Sequence, residues 1–330
     1  MPKSTQKKKS DKPQINTLPL YALLVVLFAL YILFQHGAVL SVIIGVALFL
    51  TLITVICVET INGIKKEGLW KNLLEIVIVV AIVFGVWFAM QFFLSTRYPL
   101  DVVPSCSMLP TLQRGDMLLL HGVTSPAQLK APIINIDNST YSQVLKEIPG
   151  GLSCVAYMDT GNGARISQYM EPGYSIGLYS AANGGSIVNV DGQNGPLKYE
   201  CGVTNSTFSN GTVERIVYTS GISLAGQTIN GDRNNSIVVY ATIPKDLFYQ
   251  EGDSYIVHRA YAILNVSGSY YVLTKGDNNP GLDIQYSNYP APLSYIQGKV
   301  VASIPYLGYL KLILSSRFTE PAGCNSTIQN

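Results

Sequence analysis

The chain has 330 residues, a formal net charge of +2, 48% apolar residues and only 13% charged ones. A charged fraction about half that of an ordinary soluble domain excludes a disordered chain, which needs low hydrophobicity and high charge, and it argues against a purely cytosolic enzyme. Charge is unevenly spread: residues 1–72 hold eight Lys/Arg against three Asp/Glu, a net +5, and residues 73–330 hold fourteen against seventeen, a net −3. Five scattered cysteines fit neither a disulfide-dense scaffold nor a clustered zinc site.

A basic tail, residues 1–17 with Lys3, Lys7, Lys8, Lys9 and Lys12, precedes three apolar runs, Leu18–Phe34, Ala38–Val58 and Leu73–Leu94. A transmembrane helix needs about 20 apolar residues to cross a hydrocarbon core ~30 Å thick. The second and third runs reach that length and the first falls slightly short. The break Gln35-His36-Gly37 is so tight that the first two runs predict a helical hairpin. The first run exceeds the apolar core of a cleavable signal peptide, and two more spans follow, so it reads as an anchor. The basic tail and Lys65, Lys66 and Lys71 both belong on the cytoplasmic side by the positive-inside rule. The third run then carries everything after Leu94 to the outside of a plasma membrane. Six N-x-S/T patterns, at Asn138, Asn205, Asn210, Asn234, Asn265 and Asn325, all fall after Leu94, and they point to the same side.

Residues 95–330 predict a mainly β domain. Strand-like runs recur at Met117–Leu120, Ser236–Tyr240, Tyr255–Ala262, Tyr270–Thr274 and Gly298–Ile304, separated by Gly, Asn, Asp and Pro clusters. A Gly-, Ser-, Asn- and Tyr-rich stretch, residues 124–234, reads as a β-rich accessory insertion between two parts of one catalytic core, residues 95–123 and 235–330. Cys154 and Cys201 lie in that insertion; an exported domain permits a disulfide between them, with two free thiols as the alternative. Val300–Leu314 is apolar but broken by Pro305 and Gly308 and carries Lys311, which fits an interfacial or core element.

Directly after the third run comes Pro104-Ser105-Cys106-Ser107-Met108-Leu109-Pro110-Thr111-Leu112, then Arg114-Gly115-Asp116. This segment resembles the nucleophile box of type I signal peptidases, Ser-x-Ser-Met-x-Pro-Thr followed by Gly-Asp. Two further segments resemble the same family in the right order. They are Val257-His258-Arg259, and Thr274-Lys275-Gly276-Asp277-Asn278-Asn279 with Asp283 six residues beyond Asp277. Gly298 to Gly308, with Pro305-Tyr306, resembles the family's terminal strand and turn. The resemblance covers the third run, residues 100–123 and residues 235–310, but not the insertion. Bacterial-type members carry Lys where His258 stands, so the match is to the archaeal and endoplasmic-reticulum branch, which resembles a Ser-His-Asp system.

The resemblance implies coiled antiparallel β-sheets anchored by N-terminal transmembrane helices. It also implies a membrane-bound serine endopeptidase that removes signal peptides from exported preproteins, with pockets for small side chains one and three residues before the cut. Its implied nucleophile is Ser107, its general base and then acid His258, and its orienting carboxylate Asp283, with Asp277 as the competing orienter. For Asp277 the plain alternative is a turn residue capping its own loop. A serine hydroxyl is a weak nucleophile without an adjacent base, imidazole titrates near working pH, and a carboxylate behind the ring fixes its tautomer. Of the other histidines, His36 lies in the hairpin break and His121 belongs to no matched motif.

The Ser107 backbone N–H and the Ser105 hydroxyl are the implied oxyanion donors. Cys106 stands where the family commonly has Gly and reads as a spacer, with a cysteine nucleophile as its rival. Val102, Val103, Pro104 and Met108 are candidates for the substrate groove, where an extended peptide would add as a strand. Twelve residues separate Leu94 from Ser107, so an extended chain holds the serine within about 45 Å of the third span. No metal or nucleotide motif is present, no cofactor is implied, and the basic residues read as topology signals with no nucleic-acid site. The expected partners are preprotein signal peptides, the lipid bilayer and the protein-export channel. Two other readings share the same features: a non-catalytic membrane-anchored surface glycoprotein, and a peptidase for pilin-like precursors.

Overall fold

The computed structural model describes residues 15–34, 38–67, 69–146, 148, 157–159, 164–166, 195–315, 317, 321 and 323–329. They form two compact units, residues 1–90 and 91–330.

The first unit is built on the apolar runs, which form helices α1 (Leu18–Leu33), α2 (Ala38–Glu67) and α3 (Leu69–Phe93). Two stretches, Ile43–Ile64 and Leu73–Phe93, are long and apolar enough to cross a membrane. α1 has 16 residues, or about 24 Å at 1.5 Å per residue, which is short of the hydrocarbon thickness. The predicted hairpin forms: Asn62 of α2 accepts a hydrogen bond from the Ile15 N–H at 3.0 Å and donates to the Ile15 carbonyl at 2.8 Å, just ahead of α1. α2 runs nine residues beyond Val58, so Lys65 and Lys66 close a helix and do not lie in a loop. The segment Glu59–Glu67 contains no proline and several good helix formers. The Thr60 hydroxyl is absorbed by the Ile56 carbonyl at 2.7 Å.

The second unit is mainly antiparallel β. Its strands are β1 (Leu100–Val102), β2 (Met117–His121), β3 (Ile133–Ile136), β4 (Tyr157–Asp159), β5 (Ala164–Ile166), β6 (Lys198–Phe208), β7 (Val213–Leu224) and β8 (Gln227–Asn230). They continue with β9 (Ile237–Ala241), β10 (Tyr255–Val266), β11 (Ser269–Lys275), β12 (Ala291–Pro292), β13 (Ile296–Ile304) and β14 (Ser326–Gln329). Short helices α4 (Asn138–Lys146), α5 (Leu247–Gln250) and α6 (Tyr309–Leu314) connect them. One sheet runs β1-β2-β13-β9-β10-β11-β12 with β3 paired to β10; the other runs β14-β6-β7-β4-β5 with β8 on β7. All five predicted strand segments are present, as β2, β9, β10, β11 and β13.

β10 is the central strand. Its residues are buried nearly throughout on both faces, which is why its sequence, apart from His258, Arg259 and Asn265, reads as apolar instead of alternating. The accessory insertion is not a separate body. β3, near its start, pairs in parallel with β10 through Ile263↔Ile133 to Val266↔Ile136. Conversely β14, at the end of the core segment 235–330, pairs with β6 of the insertion. One apolar cluster joins Ile134, Val144, Leu197, Ile222 and Leu224 of the insertion to Ala262, Leu264, Leu273 and Leu282 of the core.

The apolar segment 300–314 becomes the end of β13, a turn and α6, with Tyr306 and Leu312 buried. It docks on the Arg114-Gly115-Asp116 turn. The Gly308 N–H donates to the Gly115 carbonyl at 2.8 Å and the Tyr306 N–H to Asp116 Oδ1 at 3.2 Å. Gly115 sits at φ +88° with the Tyr309 ring where a Cβ would be, so both its conformation and this close approach require glycine.

Candidate active site

Ser107 lies in the loop between β1 and β2. That loop is pinned from below by Val103, Met108 and Leu112, which pack with Leu118, Leu120, Val239 and Val257. It is pinned from the side by the turn after β11, where the Asn278 N–H donates to the Ser107 carbonyl at 2.7 Å. The Asn278 side chain also donates to the carbonyls of Cys106 at 3.2 Å and Ser326 at 2.9 Å, and accepts from the Ile328 N–H at 2.8 Å. A disulfide, Cys106–Cys324, closes over the same junction.

The structure brings Ser107, His258 and Asp283 together. His258 sits on β10 opposite Val238 of β9. Its Nε2 is 2.9 Å from Ser107 Oγ and its Nδ1 is 2.7 Å from Asp283 Oδ2. An ionised carboxylate only accepts, so Nδ1 carries the ring proton and Nε2 is left to accept from the Ser107 hydroxyl. Asp283 opens a single 3-10 turn after the buried Leu282. His258 and Asp283 are 3% and 2% exposed, and the Phe248 ring stands edge-on to the imidazole at 5.9 Å.

Asp283 Oδ2 also accepts from the Tyr240 phenol at 2.9 Å and the Thr274 hydroxyl at 2.6 Å, while Oδ1 is buried without a partner among the described residues. Burial and the neighbouring Asp283 push the Tyr240 phenol well above its ordinary value, so it stays protonated as a donor. Tyr240 and Thr274 are site residues that the sequence reading missed. Thr274 stood within the third matched box. Tyr240 lies two residues beyond Val238, the cross-strand partner of His258, and strand periodicity puts it on that same face.

Asp277 is placed elsewhere. The Arg259 guanidinium clamps its two oxygens, Nε to Oδ1 at 2.7 Å and Nη2 to Oδ2 at 2.6 Å, and the Thr111 hydroxyl adds a third bond at 2.5 Å. Asp283, not Asp277, therefore faces His258, and Asp277 ties the third box to the nucleophile loop. Burial alone would raise the Asp277 carboxyl, but the bonds from Arg259 and Thr111 outweigh it and hold the group below its ordinary 3.8. A lowered folded-state value contributes stability that is fully present above the unfolded value and is lost as pH falls through the folded one. Asp277→Asn leaves a buried guanidinium uncompensated and is expected to cost about 3–5 kcal/mol at neutral pH. Its unfolding free energy should also fall less steeply than the wild type's below about pH 4. Denaturant titrations of both proteins from pH 7 to pH 3 check this; parallel curves would refute it.

Several groove candidates carry their side chains inward. Val102, Val103 and Met108 are 5%, 1% and 0% exposed, so they support the loop and do not form an open wall with their side chains. The half-buried Pro104 has its carbonyl taken by Arg114 Nε at 3.1 Å. β1 is nevertheless the terminal strand of its sheet. Pro99, Asp101 and Val103 turn their backbone groups toward β2, which leaves those of Leu100 and Val102 on the outer edge. Ser105 Oγ is 3.3 Å from Ser107 Oγ, and the Ser107 N–H has no hydrogen-bond partner among the described residues.

Cys106 is neither a bare spacer nor a nucleophile: its sulfur is consumed in the bond to Cys324. Pairing cannot be read from spacing alone, and Cys324 lay outside every matched motif. The pairing of Cys154 with Cys201 falls on positions whose side chains lie outside the described residues. His121 ends β2 with Nδ1 at 2.9 Å from the Gly122 carbonyl, and His36 is outside the described residues.

Comparison with protein-family models, with curated proteins and with solved structures returned no match for this chain.

Proposed function

We propose that the chain is a membrane-anchored serine endopeptidase of the signal-peptidase type, using a serine, a histidine and an aspartate to release exported preproteins from their signal peptides. The observation that carries this reading is the hydrogen-bonded series Ser107 Oγ, His258 Nε2, His258 Nδ1, Asp283 Oδ2 at 2.9 and 2.7 Å. His258 Nε2 takes the hydroxyl proton as Ser107 Oγ attacks the scissile carbonyl carbon, and Asp283 stabilises the imidazolium that forms. The carbonyl oxygen becomes an oxyanion beside the free Ser107 N–H and the Ser105 hydroxyl. As the intermediate collapses, the C–N bond breaks and His258 returns the proton to the leaving amine. Water then attacks the acyl-enzyme, with the same imidazole removing its proton, and Ser107 is regenerated.

The substrate docks as an added strand on the outer edge of β1, where the outward main-chain groups of Leu100 and Val102 lead to the Ser107 loop; the Val102 N–H, which donates to Asp101 Oδ1 at 2.8 Å, exchanges that partner for the substrate. The apolar helices serve as a multi-pass anchor with the N-terminus in the cytoplasm, so that the β domain works at the outer surface of the plasma membrane. Signal peptides, the bilayer and the export channel are the partners this arrangement serves. The test is to incubate the purified full chain, in detergent or liposomes, with a radiolabelled secreted preprotein and to sequence the product's N-terminus. Cleavage at one bond, after small residues at the first and third positions before it, is the expected result. An intact preprotein would refute the reading.

A further inference from the structure

Behind β10 and β11 lies a cavity of about 210 Å³, at the seam between the first sheet and β7 of the second. Liquid water occupies about 30 Å³ per molecule, so the space suits a polar group larger than one water. From the core side it is lined by Arg259 and Lys275, cross-strand partners on β10 and β11. From the other side Tyr218, Ser220, Asp232 and Arg233 reach it.

The charges in this cavity do not cancel. Arg259 is matched by Asp277. Asp232 spends one oxygen on Asn234 through its backbone and side-chain N–H groups. Lys275 is 8% exposed, and among the described residues its ammonium makes a single bond, 3.3 Å to the carbonyl of the next residue. A lysine ammonium carries three donors, and burying one so poorly satisfied is costly without a counter-charge. Burial pulls this group down to about 8, against Asp277 and Asp283, which raise it. Arg233, exposed at the rim, has no hydrogen bond or ion pair among the described residues. Three cations, Arg233, Arg259 and Lys275, thus face two carboxylates, Asp232 and Asp277, which leaves one positive charge in surplus around a space that also offers the phenol of Tyr218.

The geometry points to a binding site for a small anion, a carboxylate or a phosphate, held between Lys275 inside and Arg233 at the mouth. Both sources share the chemistry these residues recognise: several acceptor oxygens carrying negative charge. None of Ser107, His258 and Asp283 lines this cavity, and its existence does not depend on the peptidase reading. An occupant here would bear on that pocket, because Arg259 holds Asp277 and the adjacent Asn278 holds the Ser107 carbonyl.

The experiment is thermal unfolding of the purified full chain in detergent at constant ionic strength, replacing chloride by inorganic phosphate in one arm and by glutamate in another. At about ten times the dissociation constant the rise in Tm should be roughly 3–6 °C and saturable. A rise in only one arm identifies the ligand source, and either arm supports the site. Lys275→Gln should abolish the shift. Arg233→Gln, at an exposed position that leaves the core intact, should weaken apparent affinity about 3- to 10-fold, and it serves as the decisive variant if Lys275→Gln does not fold. No saturable rise in either arm, or an undiminished one in Arg233→Gln or in a folded Lys275→Gln, would overturn the proposal.

Discussion

Ser107→Ala is expected to lower preprotein cleavage by about 10⁴- to 10⁶-fold, to the level left by binding and oxyanion stabilisation alone. The substitution removes one hydroxyl whose hydrogen-bond partners are His258 at 2.9 Å and Ser105 at 3.3 Å. The loop itself is held by its carbonyl to Asn278, by the neighbouring disulfide and by Met108 beneath it. Tm should therefore stay within about 2 °C of the wild type, as expected where no core packing or buried charge is disturbed. Product release followed by gel and mass spectrometry, beside a melting curve, separates loss of chemistry from loss of fold. Equal processing by the variant would end the serine assignment.

Asp283→Asn is the second large effect. Oδ2 collects three donors, from His258, Tyr240 and Thr274. An amide there either offers its carbonyl oxygen to all three and buries an NH₂ at the Oδ1 position, or turns its NH₂ toward them and reverses the direction of each bond it keeps. In the first case the imidazole keeps its tautomer but loses the charge that stabilises its protonated form. In the second, Nδ1 must accept and the proton moves to Nε2, the wrong side for a base. A fall in kcat of about 10³- to 10⁴-fold with little change in KM is expected, comparable with the loss when the orienting aspartate of a serine protease is made an amide. Asp277→Asn should differ in kind: its principal effect is on stability, since Asp277 neutralises Arg259 and does not touch the imidazole. If the two variants exchange these phenotypes, Asp277 is the orienter after all.

Much of this arrangement was legible in the residues, and the reasons are specific. Strands β2, β9, β10, β11 and β13 show as apolar or β-branched runs bounded by turn formers, because their burial demands it. Ser107, His258 and Asp283 were found because each sits in a short run whose order could be matched. What stayed hidden depends on contacts far apart in the chain. Tyr240 is an ordinary strand tyrosine until the β9–β10 register sets it two positions from the partner of His258. β3 looked like part of an insertion because its pairing with β10 joins residues about 130 apart, such as Ile133 and Ile263. Val102, Val103 and Met108 looked like groove residues because apolar side chains beside a nucleophile read the same whether they face a ligand or the core.

The clamp on the nucleophile loop has a temporal consequence. Cys106 waits for a partner 218 positions later, and Ser107 for an imidazole 151 positions later. At 5–20 residues per second, a ribosome takes roughly 10–45 s to deliver Cys324 after Cys106. Until His258 emerges, the Ser107 hydroxyl has no imidazole beside it and is a weak nucleophile, and the Cys106–Cys324 bond cannot form before Cys324 has been translated. On the proposed mechanism the growing chain therefore gains its base first and the clamp of its nucleophile loop last.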